Sequence, residues 1–211
     1  MGDVVVSLKT AKQILGADFL TPEELSKRGI GKYTQDQYQS LAWYPPSEEA
    51  LVLCRDNGFA VVPNPPAPMS TLDVRGIEPR HFFTKTEAWY DGERFASEDK
   101  TGGGGWLMAK KEPVQSSMGL LHWDEMVLTL DPVERPPSCA EMAWFVMVYH
   151  DLRGIVLFKD AHARTSSVSS DGAHVGVGVS GGLKIGRHYG GFARHDVGIA
   201  AALDVSKLVA G

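Results

Sequence analysis

The sequence predicts an α+β fold in a single domain. Helix signals, with cap residues and apolar side chains at helical spacing, dominate the chain up to Gly154. Beyond Gly154 the apolar period changes to two, and short strand-like pieces alternate with Gly, Ser and Asp. A chain of 211 residues that is 43% hydrophobic can bury one sizeable core. A chain in which helices precede an antiparallel meander is typical of the α+β class.

Local cap signals place the early helices. In "LTPEELSKRG", Thr21 is the predicted N-cap, Pro22 takes the first helical position and Glu24 closes a capping box. In "SEEALVLCRDNG", Ser47 is the cap and Gly58 marks the end. The segment "VVPNPPAPMS" is rich in proline and predicts an extended connector, and 71–105 predicts irregular chain. The Gly102–Gly105 run lacks the Lys of a phosphate loop and predicts a flexible turn.

The second part of the chain, 106–211, carries the longest helix and the strands. "WLMAKKEP" predicts a strand and "LHWDEMVLTL" a short helix. In "PPSCAEMAWFVMVYHDLRG", Ser138 caps a helix over 138–153, Glu141 stands at the third position and Gly154 ends the helix. The pieces "IVLF", "AHARTSS", "HVGVGVS", "GLKIG" and "VGIAAAL" predict the strands of the meander.

Composition excludes several classes of function. The net charge of −5 gives no broad basic surface, so we expect no nucleic-acid partner. Cys54 and Cys139 lie too far apart in the sequence for a zinc motif. We therefore predict that both are buried free thiols. The N-terminal apolar stretch is too short for a signal peptide, and no run is long enough to span a membrane. We expect no cofactor, and the sequence does not indicate a compartment.

Two catalytic motifs match the tail by pattern only. Gly176, Gly178 and Gly181 fit the G-x-G-x-x-G of dinucleotide-binding loops, but the alternating valines continue through them and no helix follows. Ser180 fits the G-x-S-x-G nucleophile elbow, yet the acid and histidine do not follow it in the required order. The tail therefore predicts a strand with small residues on one face, and no catalytic residue.

Three of the seven histidines lie in this tail, at 174, 188 and 195. A metal site would need paired spacing and acidic neighbours, and only Asp196 is near. We therefore predict solvent-facing polar residues here and no metal ion. We predict that Trp123 and Trp144 lie in the core, because large aromatic side chains are usually buried.

Strand alternation divides the tail into two sets of residues. The set expected to face inward is Val175, Val177, Leu183, Ile185 and Ile199. The set expected to face outward or to lie in loops is His174, Gly176, Val179, Lys184, Gly186, Arg187, His188, Tyr189, Gly190, Ala193, Arg194, His195 and Val197. A mixture of Tyr, Arg, His and Gly resembles the composition of a paratope more than that of a catalytic cleft.

Four segments then carry a family resemblance. "PPSCAEMAWFVM" resembles the helix entry of the formylglycine-generating-enzyme type of C-type lectin fold, and "VGIAAA" stands where that fold has its closing strand. Trp106–Val114, Pro137–Trp144, Arg164–Gly178 and Gly198–Ala202 are together similar to the variable proteins of diversity-generating retroelements. The closing strand lacks the arginine of the lectin motif, and the calcium motifs E-P-N and Q-P-D are absent. Calcium-dependent sugar binding is therefore not predicted.

The resemblance implies a display protein. In that family a reverse transcriptase randomises adenines at the 3′ end of the gene, which diversifies a binding face on a constant lectin-type scaffold. Here it implies a variable region of about 174–197 that binds a protein or other macromolecular ligand, with Arg187 and Tyr189 as anchors. All the outward residues except Lys184 belong to the set that such codons can yield. We therefore predict a binding protein that is not an enzyme.

Two alternatives remain open. One is an enzyme derived from the formylglycine-generating fold that works in the region Trp89–Trp106. The other is a structural component of a virion or of a viral tail.

Overall fold

The computed structural model describes residues 6–188 and 194–208, and it confirms the α+β class. The α-helices of this part are α1 (Leu8–Leu15), α2 (Pro22–Lys27), α3 (Gln35–Trp43), α4 (Glu48–Asp56), α5 (Thr71–Ile77), α6 (Arg94–Glu98), α7 (Trp123–Val127), α8 (Cys139–Arg153) and α9 (Val205–Leu208). The strands are β1 (Phe59–Pro63), β2 (Trp106–Lys110), β3 (Glu134–Arg135), β4 (His162–Val168), β5 (His174–Val179), β6 (Leu183–His188), β7 (Val197–Ile199) and β8 (Ala202–Leu203). Short 3-10 turns lie at Gly16–Asp18, Pro79–His81 and Gln115–Ser117.

The predicted helix caps are confirmed. Thr21 accepts a hydrogen bond from the backbone N–H of Glu24 at 3.3 Å, and the Glu24 carboxylate accepts one from the Thr21 N–H at 2.8 Å. Ser138 and Glu141 form the same reciprocal pair at the start of α8. Gly154 ends α8 in the left-handed conformation with φ 67°. These signals are local, which is why they were visible in the sequence.

Helix α8 is the centre of the molecule. Every residue from Cys139 to Tyr149 is buried. The largest core cluster joins α8 to residues of both sheets and to early residues such as Leu20 and Phe95. The core therefore takes residues from both the 1–105 part and the 106–211 part of the chain.

Two four-stranded sheets pack against α8. In the first sheet the order is β1-β2-β8-β3 and all pairs are antiparallel. In the second sheet the order is β6-β5-β4-β7. Strands β4, β5 and β6 form the predicted meander, but β7 pairs with β4 in parallel. The expectation of a wholly antiparallel meander is wrong for β7, because the chain crosses from one edge of this sheet to the other after β6.

Some predicted segments differ in the structure. Residues 61–63 of the supposed connector belong to β1, an edge strand that tolerates Pro63 at its end. The supposedly irregular region 71–105 contains α5 and α6. The piece at 155–158 is not a strand: residues 155–156 have no regular structure and a turn begins at Leu157. The first half of the tetraglycine run packs closely, because a Cβ at Gly102 would lie 2.8 Å from the Asn64 amide, whereas Gly104 and Gly105 have open space around them.

Candidate ligand-binding face

The second sheet has an inner face that packs into the core. Val175, Val177, Leu183 and Ile185 are buried on this face in one cluster with α8, as predicted. Ile199 is also buried, but it lies in a separate small cluster with Val114, Met126 and Ala201. The apolar alternation of the tail therefore builds the scaffold.

We call the opposite side of this sheet the outer face, and the strand register defines it. Directly paired residues share a face of an antiparallel sheet. His174 pairs with His188, Gly176 with Gly186 and Gly178 with Lys184, while His162 and Arg164 of β4 pair with Gly178 and Gly176. The outer face is therefore made of His162, Arg164, His174, Gly176, Gly178, Lys184, Gly186 and His188.

Imidazole rings lie over two glycines of the outer face. A Cβ at Gly176 would lie 2.5 Å from Cδ2 of His188, and a Cβ at Gly178 would lie 2.5 Å from Nδ1 of His162. The rings of His162 and His188 are neighbours, with centroids 5.2 Å apart. The glycines thus provide the space that the histidine side chains occupy.

His174 lies at the end of this face against an aromatic partner. Its ring stacks on Trp123 with centroids 3.7 Å apart and an interplanar angle of 13°. Its Nδ1 also lies 3.3 Å from the carbonyl oxygen of Thr165. Trp123, predicted as core, is only partly buried and provides a stacking surface.

Burial keeps the histidines of the outer face neutral. Burial, helped by nearby His162, Arg164 and Arg194 and opposed by Asp196, lowers the pKa of His188 to about 4. Burial also lowers the pKa of His162 and of His174. At neutral pH these rings present one donor and one acceptor nitrogen each rather than a positive charge.

Arg164 is a buried cation in the middle of the face. Its side chain is 3% exposed, and burial lowers its pKa. Its Nη1 donates to the carbonyl oxygen of Leu121 at 3.1 Å. The structure records six buried side-chain polar atoms without a hydrogen-bond partner within the described ranges, and three of them are Nε of Arg164, Nδ1 of His162 and Nε2 of His188. Unsatisfied capacity for hydrogen bonding is thus concentrated on this face.

The predicted outward positions divide into exposed and covered ones. Arg187, Arg194 and His195 are exposed, and His174, Val179 and Gly186 are half-buried. Tyr189, Gly190 and Ala193 lie outside the described residues. The expectation that the whole set faces solvent is wrong for Gly176, His188 and Val197, which are buried.

Each correction has a physical reason. Gly176 lies beneath the ring of His188, which folds back over the sheet. Val197 is buried because residues 113–119 cover β7: the backbone N–H of Gly119 donates to the Val197 carbonyl, and a Cβ at Gly198 would lie 2.7 Å from Sδ of Met118. Val179 belongs to the inner face and packs against the core.

The two arginines of the tail are held in place by carboxylates. Arg187 lies over the Trp89 ring at 4.2 Å from its centroid, and its Nη1 is 2.8 Å from Oδ2 of Asp171. Arg194 forms a two-pronged pair with Asp196, with contacts of 2.6 and 3.0 Å. Arg187 pairs with Val175, so it lies on the inner side of the sheet at its exposed edge and not on the outer face. The prediction that it faces outward with the other anchors is therefore wrong, while Arg194 lies beside the outer face with its orientation fixed by Asp196.

Sequence reasoning missed His162 and Arg164 as members of the site. Their period-two spacing in "HARTSS" could have placed them on the face opposite the buried Ala163 and Thr165. Nothing in the sequence alone showed that β4 lies beside β5 with these residues opposite the glycines.

Comparisons of the chain with protein-family models, with curated proteins and with solved structures find no match. None of the helices within residues 6–188 and 194–208 combines the length and the apolar character that a membrane span requires.

Proposed function

We propose that this protein binds a protein or other macromolecular ligand through the outer face and the adjoining tail segment, on a lectin-type scaffold. The family resemblance motivates the proposal. The observation that carries it is the concentration of unpartnered buried polar atoms on one face of the second sheet. These atoms are covered in the free protein, so a ligand reaches them only when the His162 and His188 rings turn outward. It then supplies the missing hydrogen-bond partners and recovers the free energy lost by burying them.

The structure separates scaffold from surface in a way that suits such a protein. The buried valines and leucine of the inner face pack on α8 and make no contact with a ligand on the other side. Exposed residues of the tail can therefore change with little effect on the core. We infer that retroelement diversification acts at Arg194, His195 and the 189–193 segment, and less freely at Gly176, His188 and Val197.

The charges on the outer face favour an acidic ligand surface. Arg164 has no carboxylate partner in the part of the chain that the structure describes, and Lys184 is exposed on the same face. The residues 189–193, "YGGFA", bring no acidic side chain either. A carboxylate on the ligand would pair with the exposed Lys184, and the buried Arg164 would add a longer-range attraction from beneath the surface.

Binding and diversification are tested separately. Peptides selected from a phage-displayed random library against the protein should be enriched in Asp and Glu. Their affinity should fall at least tenfold in Lys184→Glu and stay unchanged in Lys27→Glu, a charge-matched control on α2. Equal affinity in both variants would contradict the location of the site.

Diversification is tested at the gene. Sequencing of the locus should find a near-copy of its 3′ end beside a reverse-transcriptase gene, with differences confined to adenines. A locus that lacks both would contradict diversification but would leave the binding proposal standing.

The enzyme alternative draws no support from the region that suggested it. Tyr90 and Phe95 are buried in the main core cluster. Trp89 donates from Nε1 to the Ile185 carbonyl at 2.9 Å and lies beneath Arg187. These aromatic side chains hold the second sheet in place, so we propose binding and not catalysis.

A further inference from the structure

A cleft of about 580 Å³ lies outside the ligand-binding face. Its wall includes Met147 and His150 of α8, the turn with Arg80 and His81, and the loop residues Ser180, Gly181 and Gly182. Nothing in the proposed function uses this cleft, and two histidines, His81 and His150, form part of its wall.

One of these histidines faces two carboxylates. The Nε2 atom of His81 lies 3.1 Å from Oδ1 of Asp151 and 3.7 Å from Oε2 of Glu78. The three ligand atoms lie within 4.8 Å of one another. The side chains of His81 and Asp151 are only 12% and 11% exposed, and that of Glu78 is 24% exposed. Among the described residues, this is the one group whose ligand atoms are close enough to share a metal ion.

The other nitrogen of His81 is already oriented. Its Nδ1 lies 3.2 Å from Nδ1 of His150, so one of the two rings donates to the other. When His81 is the donor, its Nε2 carries a lone pair that points at two carboxylate oxygens. In that tautomer three acceptors converge, and a cation must offset them, either the Arg80 guanidinium that is already nearby or a metal ion in its place. Metal-binding histidines are commonly held in this manner, with the second ring nitrogen bonded to a neighbouring group.

We propose that Glu78, His81 and Asp151 bind a divalent transition-metal ion of the zinc class at the edge of this cleft. One imidazole nitrogen and two carboxylate oxygens form a donor set that zinc accepts in proteins, whereas Mg²⁺ prefers oxygen ligands alone. Three protein ligands leave a fourth position for a solvent molecule or a small ligand.

Arg80 is the resident counter-charge of this cluster. Its Nε contacts Glu78, and its Nη2 lies 3.6 Å from Oδ1 of Asp151. The Arg80 side chain is 70% exposed, so it can swing into solvent when a metal ion takes its place. Removing its charge should therefore strengthen metal binding.

The test is equilibrium dialysis with Zn²⁺ at pH 7.5, followed by titration with Co²⁺ and measurement of its visible absorption. We expect one equivalent of Zn²⁺ with micromolar or tighter affinity, at least tenfold weaker binding in His81→Ala and in Asp151→Asn, and severalfold tighter binding in Arg80→Ala. His195→Ala is the control, because His195 is an exposed histidine of the tail, and it should bind like the native chain. Circular dichroism identifies any variant that fails to fold, and Glu78→Gln, which alters a more exposed ligand, then replaces it.

Binding of less than 0.1 equivalent at about 100 µM free Zn²⁺, far above the dissociation constant expected of a built site, would overturn the proposal. Equal affinity in the folded ligand variants would also overturn it. Loss of binding in His195→Ala would place the metal on the tail instead.

Discussion

The ring of His188 covers Gly176, and the two positions act as one unit. A Cβ at residue 176 would lie 2.5 Å from Cδ2 and 2.6 Å from Nε2 of that ring. His188 is therefore 8% exposed although its neighbours Arg187 and Lys184 reach solvent. A ring at position 188 therefore requires glycine at position 176, and a larger residue at 176 requires a smaller side chain at 188.

The first prediction is that Gly176→Ala destabilises the protein by about 1–3 kcal/mol, because the added methyl group overpacks against the ring. Gly186→Ala is the matched control: its Cβ would lie 3.5 Å from Nε2 of His188, an ordinary contact. Its free energy of unfolding should change by less than about 1 kcal/mol. Urea denaturation measures both.

A double-mutant cycle examines the cause. In a background with His188→Ala the cost of Gly176→Ala should fall by at least about 1 kcal/mol. An unchanged cost would mean that the backbone near Ala163, rather than the histidine ring, opposes the new methyl group.

The second prediction separates display positions from scaffold positions in the tail. His195→Ala should change the free energy of unfolding by less than about 0.5 kcal/mol, because that side chain is exposed. Arg194→Ser should cost at most about 1 kcal/mol, the usual value of a surface ion pair. Val197→Ala should cost about 2 kcal/mol, because Val197 is 1% exposed. Thermal and urea unfolding measure these losses. Equal losses in the free energy of unfolding at the three positions would show that the tail has no separate display and scaffold positions.

The third prediction concerns pH. The pKa of His188 is lowered from 6.5 to about 4 in the folded protein, so the unfolded chain binds its proton more readily. The stabilisation from keeping this ring neutral is fully present above pH 6.5 and is lost as the pH falls toward 4. The loss is at most about 3 kcal/mol for a shift of this size. His162 and His174 shift in the same direction and add to the slope.

Comparison of the native chain with a variant that lacks this imidazole isolates the contribution of His188 to the pH dependence of stability. Urea unfolding of the native chain and of His188→Asn between pH 4 and 8 should give curves that differ in slope below pH 6.5 and run parallel above it. Parallel curves over the whole range would show that His188 titrates normally in the folded state.

Sequence reasoning succeeded where the signal was local. The caps at Thr21, Ser47 and Ser138 and the alternation that buries Val175 and Val177 depend on residues a few positions apart, and the structure confirms them. Sequence spacing alone does not reveal contacts that the fold makes between distant segments.

Three outcomes depended on such contacts. The parallel pairing of β7 with β4 follows from a crossover after β6. The burial of Val197 follows from its cover by residues 113–119. The burial of His188 follows from a glycine twelve positions earlier in the sequence, which lies beneath its ring.

The last prediction bears on the choice between binding and enzymatic function. Burial raises the pKa of Cys54 and of Cys139 to about 12, and the two thiols lie in different core clusters. Only a trace of either thiol is ionised at pH 8, and the thiolate is the reactive form. Neither thiol of the native protein should therefore react with Ellman's reagent at pH 8 in the minutes in which an exposed thiol reacts fully. Both should react at once in 6 M guanidinium chloride. A native thiol that reacts stoichiometrically would reveal an accessible nucleophile, and this would favour thiol chemistry of the formylglycine-generating type over a purely binding protein.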